Sequence, residues 1–224
     1  MNKPYIIVHM MESIDGRIDC GMTAQLDGNR EYYSSLDAIN APTRISGRVT
    51  AATELTGGGQ YIPQDNTPLG KTDFAKNTTA DSYNIVVDTK GTLRWSAEAS
   101  KSFPHLIITS EDATKEYLDY LNDQNISWIA TGKGHVDLKR AMDILATEFD
   151  IKRLAIVGGG KINGGFLNAG LVDEISVLIG PGVDGRTGQP SLFDGRTVNH
   201  PTPLQLKDVK SYDDGAVWLR YLVK

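Results

Sequence analysis

Short apolar runs, broken by clusters of glycine, asparagine and aspartate, set the rhythm of this chain. Tyr5-Ile6-Ile7-Val8-His9-Met10 is nearly continuous and ends before Asp15-Gly16, which predicts a buried strand and then a tight turn. Asp27-Gly28-Asn29 predicts the cap of a short helix carrying Tyr32, Tyr33 and Leu36. Thr43-Arg44-Ile45-Ser46-Gly47 reads as a second strand ending at a glycine. Residues 56–81 are polar, rich in Gly, Pro, Asn and Thr, and show no period. Such a stretch predicts a surface excursion or an active-site flap rather than a domain linker.

Regular alternation follows. Tyr83–Val87, Leu106–Thr109, Ile126–Ala130, Leu154–Val157 and Glu174–Ile179 read as strands, with Asp88–Gly91 a turn. Helices are expected at Glu111–Leu121, Asp137–Phe149 and Lys161–Asn168, the last ending at Gly170. In the second of these, Leu138, Ala141, Met142, Leu145 and Phe149 recur at helical spacing. Leu204–Val209 and Ala216–Val223 flank Asp213-Asp214-Gly215, a hairpin signal. Strands alternating with helices imply an α/β fold, a mixed but mainly parallel sheet covered by helices, closed by a C-terminal antiparallel hairpin. The 224 residues, without internal repeats, are read as one domain.

Composition narrows the function. The net charge is −5 and no run of Lys and Arg is long enough to track a nucleic-acid backbone. Cys20 is the single cysteine, so an internal disulfide, a Cys-rich zinc site and zinc-deaminase chemistry are all excluded. The four histidines have no ligand spacing, and no metal is expected. The start of the chain does not read as a signal peptide, and no apolar stretch approaches the roughly 20 residues that span a bilayer. A reducing, cytoplasmic location is the expectation.

Three places can carry chemistry. Val157-Gly158-Gly159-Gly160 joins a strand to a helix, and glycines there let backbone amides approach a pyrophosphate at the positive end of the helix. Taken alone, the motif fits an empty tight turn equally well, and it matches neither a Walker A loop nor a first-strand dinucleotide fingerprint. Gly47-Arg48-Val49-Thr50 can hold a phosphate through a guanidinium and a hydroxyl, though an exposed arginine and a capping threonine explain it as well. Glu12 and Asp15, in Glu12-Ser13-Ile14-Asp15-Gly16-Arg17-Ile18, follow the first strand, where open α/β sheets place ligands.

In order along the chain, Ser13-x-Asp15-Gly16-Arg17-Ile18, Gly47-Arg48-x-Thr50, Val157-Gly158-Gly159-Gly160 and Phe166–Glu174 resemble the reductase domain of the riboflavin-biosynthesis deaminase-reductases. That domain is similar in fold to dihydrofolate reductase. The likeness runs from about Lys3 to Val223 and is patchy between 55 and 80. It implies NADPH as hydride donor, with the pyrophosphate on Val157–Gly160 and the amides of Lys161, Ile162 and Asn163. It further implies Gly47, Arg48 and Thr50 as a second phosphate-side contact with Glu54 near it, Thr109 and Ser110 on the adenosine side, and main chain at Glu12 and Ser13 facing the nicotinamide. The family substrate is a phosphorylated ribosylaminopyrimidine, reduced at C1′ of its Schiff-base form, and the family likeness implies a homodimer. Glu12 and Asp15 are the candidate proton donors. The chain departs from the pattern in two places. Gly158 stands where the family's glycine turn usually has a substrate-contacting glutamate, and Ala52-Thr53-Glu54-Leu55 replaces its usual Asp-Asp-Pro. Two other readings therefore stand beside the first: a dihydrofolate-reductase-like oxidoreductase of another small heterocycle or carbonyl compound, and an NADP-binding protein without turnover.

Overall fold

A computed structural model describes residues 2–95 and 103–224. In chain order its elements are β1 (Tyr5–Glu12), α1 (Cys20–Thr23), α2 (Asn29–Ala38), β2 (Thr43–Gly47), α3 (Arg48–Glu54), β3 (Asp73–Ala75), β4 (Asn84–Val87) and β5 (His105–Thr109). There follow α4 (Lys115–Asp123), β6 (Ser127–Ala130), α5 (Leu138–Thr147), β7 (Arg153–Ile156), α6 (Gly160–Asn168), β8 (Glu174–Ile179), β9 (Leu204–Ser211) and β10 (Val217–Val223). They gather into two compact units. The first comprises Thr43–Lys152 with the N-terminal residues up to Pro4, and the second comprises Tyr5–Pro42 and Arg153–Lys224.

In the first unit β2, β4, β5 and β6 run parallel, and β3 adds an antiparallel edge beside β6. Every residue of β5 and β6 is buried, as a parallel strand covered on both faces must be. Val86, Ile107 and Trp128 pack with Tyr117, Leu118 and Leu121 of α4 and Ala51 of α3. Asp137 caps α5 by accepting from the Arg140 amide, and Ala141, Met142, Ile144 and Leu145 form the helix's buried stripe. The expected start of α4 at Glu111 moves to Lys115, because the Thr114 side chain caps the helix by accepting from the Tyr117 amide.

The polar stretch 56–81 is held down rather than free. The amides of Gln64 and Asp65 donate to Glu116 Oε2 (2.9 and 2.6 Å), and Tyr61 Oη donates to Glu116 Oε1 (3.0 Å). Leu69 and Gly70 donate to the carbonyls of Ala113 and Glu111. Farther on, Asn77 Nδ2 donates to the Ile126 carbonyl (2.8 Å). This segment is a surface excursion tied to both ends of α4. It also holds β3, which the sequence pattern did not predict.

In the second unit β1 lies between β7 and β8, parallel to both, and β10 and β9 continue the sheet antiparallel. The C-terminal hairpin is thus present, closed by Gly215 at φ +89° with its amide on the Tyr212 carbonyl. Ile7, Met11, Ala155, Leu178 and Trp218 meet Leu36 of α2 and Ile39 at its C-cap. His9 is buried in this layer. Its Nδ1 lies 2.9 Å from Ser176 Oγ, and its ring stacks on Tyr32. Glu174, also buried, is ringed by Tyr5, Lys207 and Arg220. Burial pushes its carboxyl up, but the Lys207 and Arg220 bonds outweigh this and hold it below the ordinary range. No helix among the described residues is long and apolar enough to cross a membrane.

Candidate functional site

The carboxyl ends of β7 and β1 bring two of the three candidate motifs into the second unit. β7 leaves the sheet through Val157 and Gly158, whose φ of +152° favours glycine, and the Gly158–Gly159 peptide is cis. Gly159 then caps α6 in an extended conformation (φ −112°, ψ −170°) with no side-chain bond to the helix. The amides of Ile162 and Asn163 turn back onto the Gly159 carbonyl (3.0 and 3.1 Å). The first-turn donors ahead of these bonds belong to Gly160 and Lys161, fewer than the sequence suggested.

The third glycine has a different reason from the first two. A Cβ on Gly160 would lie 2.3 Å from the Ser191 carbonyl oxygen and 2.7 Å from Asp194 Oδ2. One on Gly164 would lie 1.9 Å from the Asp194 carbonyl oxygen. Residues 191–194 therefore press on α6, and Asn163 Nδ2 and the Gly160 carbonyl bond to them. Asn163 itself is fully buried, with its Oδ1 unpartnered among the described residues. Gly160 and Gly164 serve packing; Gly158 and Gly159 are the pair left to meet a ligand.

At the end of β1 the two candidate carboxylates separate sharply. Asp15 Oδ1 accepts from Ser13 Oγ (2.7 Å) and the Asp184 amide (2.9 Å), and its Oδ2 accepts from the Gly185 amide (2.9 Å). The Ser13 hydroxyl first, then the two amides, hold this carboxyl well below the usual carboxylate range. Asp15 is the anchor of a loop clasp, further closed by Ile14 N on the Gly182 carbonyl and Arg17 Nη1 on the Gln189 carbonyl. Glu12 differs: its carbonyl accepts from Gly180 N (2.8 Å), while its carboxylate has no hydrogen bond or ion pair among the described residues. Burial pushes that carboxyl up to about 7.

The remaining candidates lie in the first unit. Gly47, buried and extended at φ −89°, caps α3, so Arg48 and Thr50 sit in the first turn of a helix rather than on a strand end. Arg48 is exposed and Thr50 is half-buried; Glu54 closes the same helix at its exposed end. Thr109 and Ser110, at the end of β5, are buried, and both hydroxyls donate to the Thr89 carbonyl (3.0 and 2.8 Å). Their side chains fix the Asp88–Gly91 turn, so a ligand there would meet backbone. Leu192-Phe193 also belongs to the family likeness, but the packing of Ser191 and Asp194 on α6 was not visible in the sequence.

The second unit thus joins a glycine-capped helix after β7 to a half-buried carboxyl at the end of the neighbouring parallel strand β1, an α/β arrangement. The family is specific: residues 4–219 match the RibD C-terminal domain model, and the chain belongs to that family. It is 31% identical over 235 residues to the 2,5-diamino-6-ribosylamino-4(3H)-pyrimidinone 5′-phosphate reductase of Methanothermobacter thermautotrophicus, covering 99% of each chain. It is 26% identical over 200 residues to the riboflavin biosynthesis protein RibD of Chlamydia muridarum; that match takes in 85% of this chain and 50% of the relative, so the chain spans about half of its length. Among solved structures, a pyrimidine reductase-like protein from Corynebacterium diphtheriae superposes with a TM-score of 0.74 at 20% identity, covering 99% of this chain and 92% of that one. That last likeness bears on the fold.

Proposed function

We propose that this protein is an NADPH-dependent reductase of the phosphorylated ribosylaminopyrimidine of riboflavin biosynthesis. The Gly158-Gly159 turn at the amino end of α6 carries the reading, in a family whose relatives are named as pyrimidinone phosphate reductases. Its fit to a pyrophosphate rests on the positive φ of Gly158, the side-chain-free cap at Gly159 and the first-turn amides of Gly160 and Lys161. Arg48 and Thr50, in the first turn of α3, are proposed from the family likeness as phosphate-side residues. When bound, NADPH supplies the hydride for the C=N carbon of the substrate.

Gly158 in place of a carboxylate favours a second reading, in which the same cofactor serves another small heterocyclic or carbonyl substrate. The loss of NADPH absorbance on adding the ribosylaminopyrimidine phosphate tests the pair. Turnover supports the first reading, oxidation with other carbonyl or imine compounds alone supports the second, and binding with no turnover on any of them leaves an NADP-binding protein.

A cytoplasmic location, where NADPH is available, accords with this chemistry and with a lone exposed cysteine. A homodimer is proposed through the outer strands of the second unit. There Leu204, Leu206 and Val209 of β9 are exposed, in register with Val223, Tyr221 and Leu219 of β10. Light scattering on the wild type and on Leu206→Glu with Val209→Glu tests this: a dimer that dissociates in the double variant is expected.

A further inference from the structure

Glu12 ends an interior strand of its sheet, and its backbone is fixed on both sides. β1 pairs with β7 through Val8 and with β8 as far as Glu12 opposite Ile179, and the Glu12 carbonyl accepts from Gly180 N. Strand alternation puts its side chain on the face of Ile6, Val8 and Met10, away from the layer that holds Ile7, Met11 and α2. A half-buried carboxyl at such a place ordinarily finds an amide, a hydroxyl or a cation, and this one has none among the described residues.

The charged groups on the surrounding elements are engaged elsewhere or exposed. Asp15, on the same loop, is held by Ser13 Oγ and two amides, and Arg17 Nη1 donates to the Gln189 carbonyl. On the segment after β8, Asp184 and Arg186 pair with each other (2.6 Å). β8 and β10 offer Ile179 and Val217 at this level, and the turn after β7 offers Lys161, exposed on α6. Burial is the cause of the shift that brings the Glu12 carboxyl to about 7, where both protonation states are populated in neutral solution.

We propose that Glu12 is the proton donor of the reduction. The proposal rests on the NADPH-dependent reading given above. As the hydride forms the new C–H bond at the C=N carbon, the π pair moves onto nitrogen. The Glu12 O–H bond breaks, and its proton forms the N–H bond. The products are a secondary amine, NADP⁺ and the Glu12 carboxylate, which regains a proton from water. A residue that both gives and recovers its proton near neutrality suits repeated turnover.

The test combines three measurements on the whole protein. Carboxyl carbon NMR with ¹³C-labelled glutamate should show one resonance titrating near pH 7 that is absent from Glu12→Gln; a Glu12 carboxyl titrating in the ordinary glutamate range overturns the proposal. Thermal unfolding supplies a readout independent of cofactor. A carboxyl that keeps its proton in the folded state after the unfolded chain has lost it makes the wild type lose stability, relative to Glu12→Gln, as the pH rises from the ordinary glutamate range to about 7. Kinetically, Glu12→Gln should bind NADPH within about twofold of wild type and lose about a hundredfold in kcat, together with the pH limb near 7, with partial recovery in Glu12→Asp. Glu12→Gln keeping kcat and its pH profile, beside a wild type that oxidises NADPH, overturns the proposal and leaves the functional reading intact. A wild type that does not oxidise NADPH overturns both.

Discussion

The turn from β7 into α6 and the turn from β2 into α3 both leave a strand through an extended glycine without a side-chain cap: Gly159 at φ −112°, ψ −170° and Gly47 at φ −89°, ψ 166°. Beyond that glycine they diverge. α6 is packed along its first turns, with Gly160, Asn163, Gly164 and Phe166 buried and residues 191–194 lying on two of the glycines. α3 buries Ala51 alone and leaves Arg48 and Val49 in solvent. At the first turn, backbone amides beside the exposed Lys161 do the reaching, and their geometry is enforced by packing. At the second, an exposed side chain does the reaching. Binding and stability should therefore move together in α6 and separately in α3.

The largest effect that would break this contrast lies at Gly164. Gly164→Val places a Cβ 1.9 Å from a backbone oxygen that cannot rotate away, and urea denaturation is expected to show a loss of about 3 kcal/mol in unfolding free energy. Unchanged stability would show that 191–194 is loosely held. Next comes Gly159→Val, for which the dissociation constant of NADPH, followed by tryptophan fluorescence, should rise at least about tenfold, roughly 1.4 kcal/mol. Arg48→Ala should weaken NADPH about threefold, less so at high salt, and leave the melting temperature where it was. A matching fall in stability would erase the distinction between the two turns. The smallest effect is expected at Asp15, whose carboxyl is depressed by the Ser13 hydroxyl and the amides of Gly185 and Asp184. Its stabilisation is present above the ordinary aspartate range and fades as the pH falls toward the folded value, so Asp15→Asn should be less stable than wild type at pH 7 and converge on it in acid.

The strands were legible because parallel strands are buried on both faces and so appear as unbroken apolar runs, as in Ile6–Val8 and Leu106–Ile108. The hairpin at Asp213-Asp214-Gly215 was legible because Gly215 must adopt a positive φ. β3 was not. Asp73-Phe74-Ala75 has no alternation of its own and is a strand because Trp128, Ile129 and Ala130 pair with it. The four-residue α1, capped by Asp19, is too short to leave a period.

At the site, the glycine turn was visible as local chemistry, and the family likeness gave it a ligand. The division of labour within the turn was not visible, because the reason for Gly160 and Gly164 comes from Ser191 and Asp194, a long way off in sequence. The same holds for the two carboxylates. Glu12 and Asp15 look alike as letters, and only the amides of Asp184 and Gly185 reveal which one is committed to structure. The tie between 56–81 and α4 is hidden for the same reason, since Glu116 reaches Gln64 and Asp65 across some fifty residues.

The cofactor turn can be tested most directly by following the backbone amides in ¹⁵N spectra during a titration with NADPH. Saturable shifts concentrated at Gly158, Gly159, Gly160 and Lys161, abolished by Gly159→Val in a protein that remains folded, are the predicted result. Amides of that turn that stay still at millimolar NADPH, or that shift equally in Gly159→Val, would contradict it.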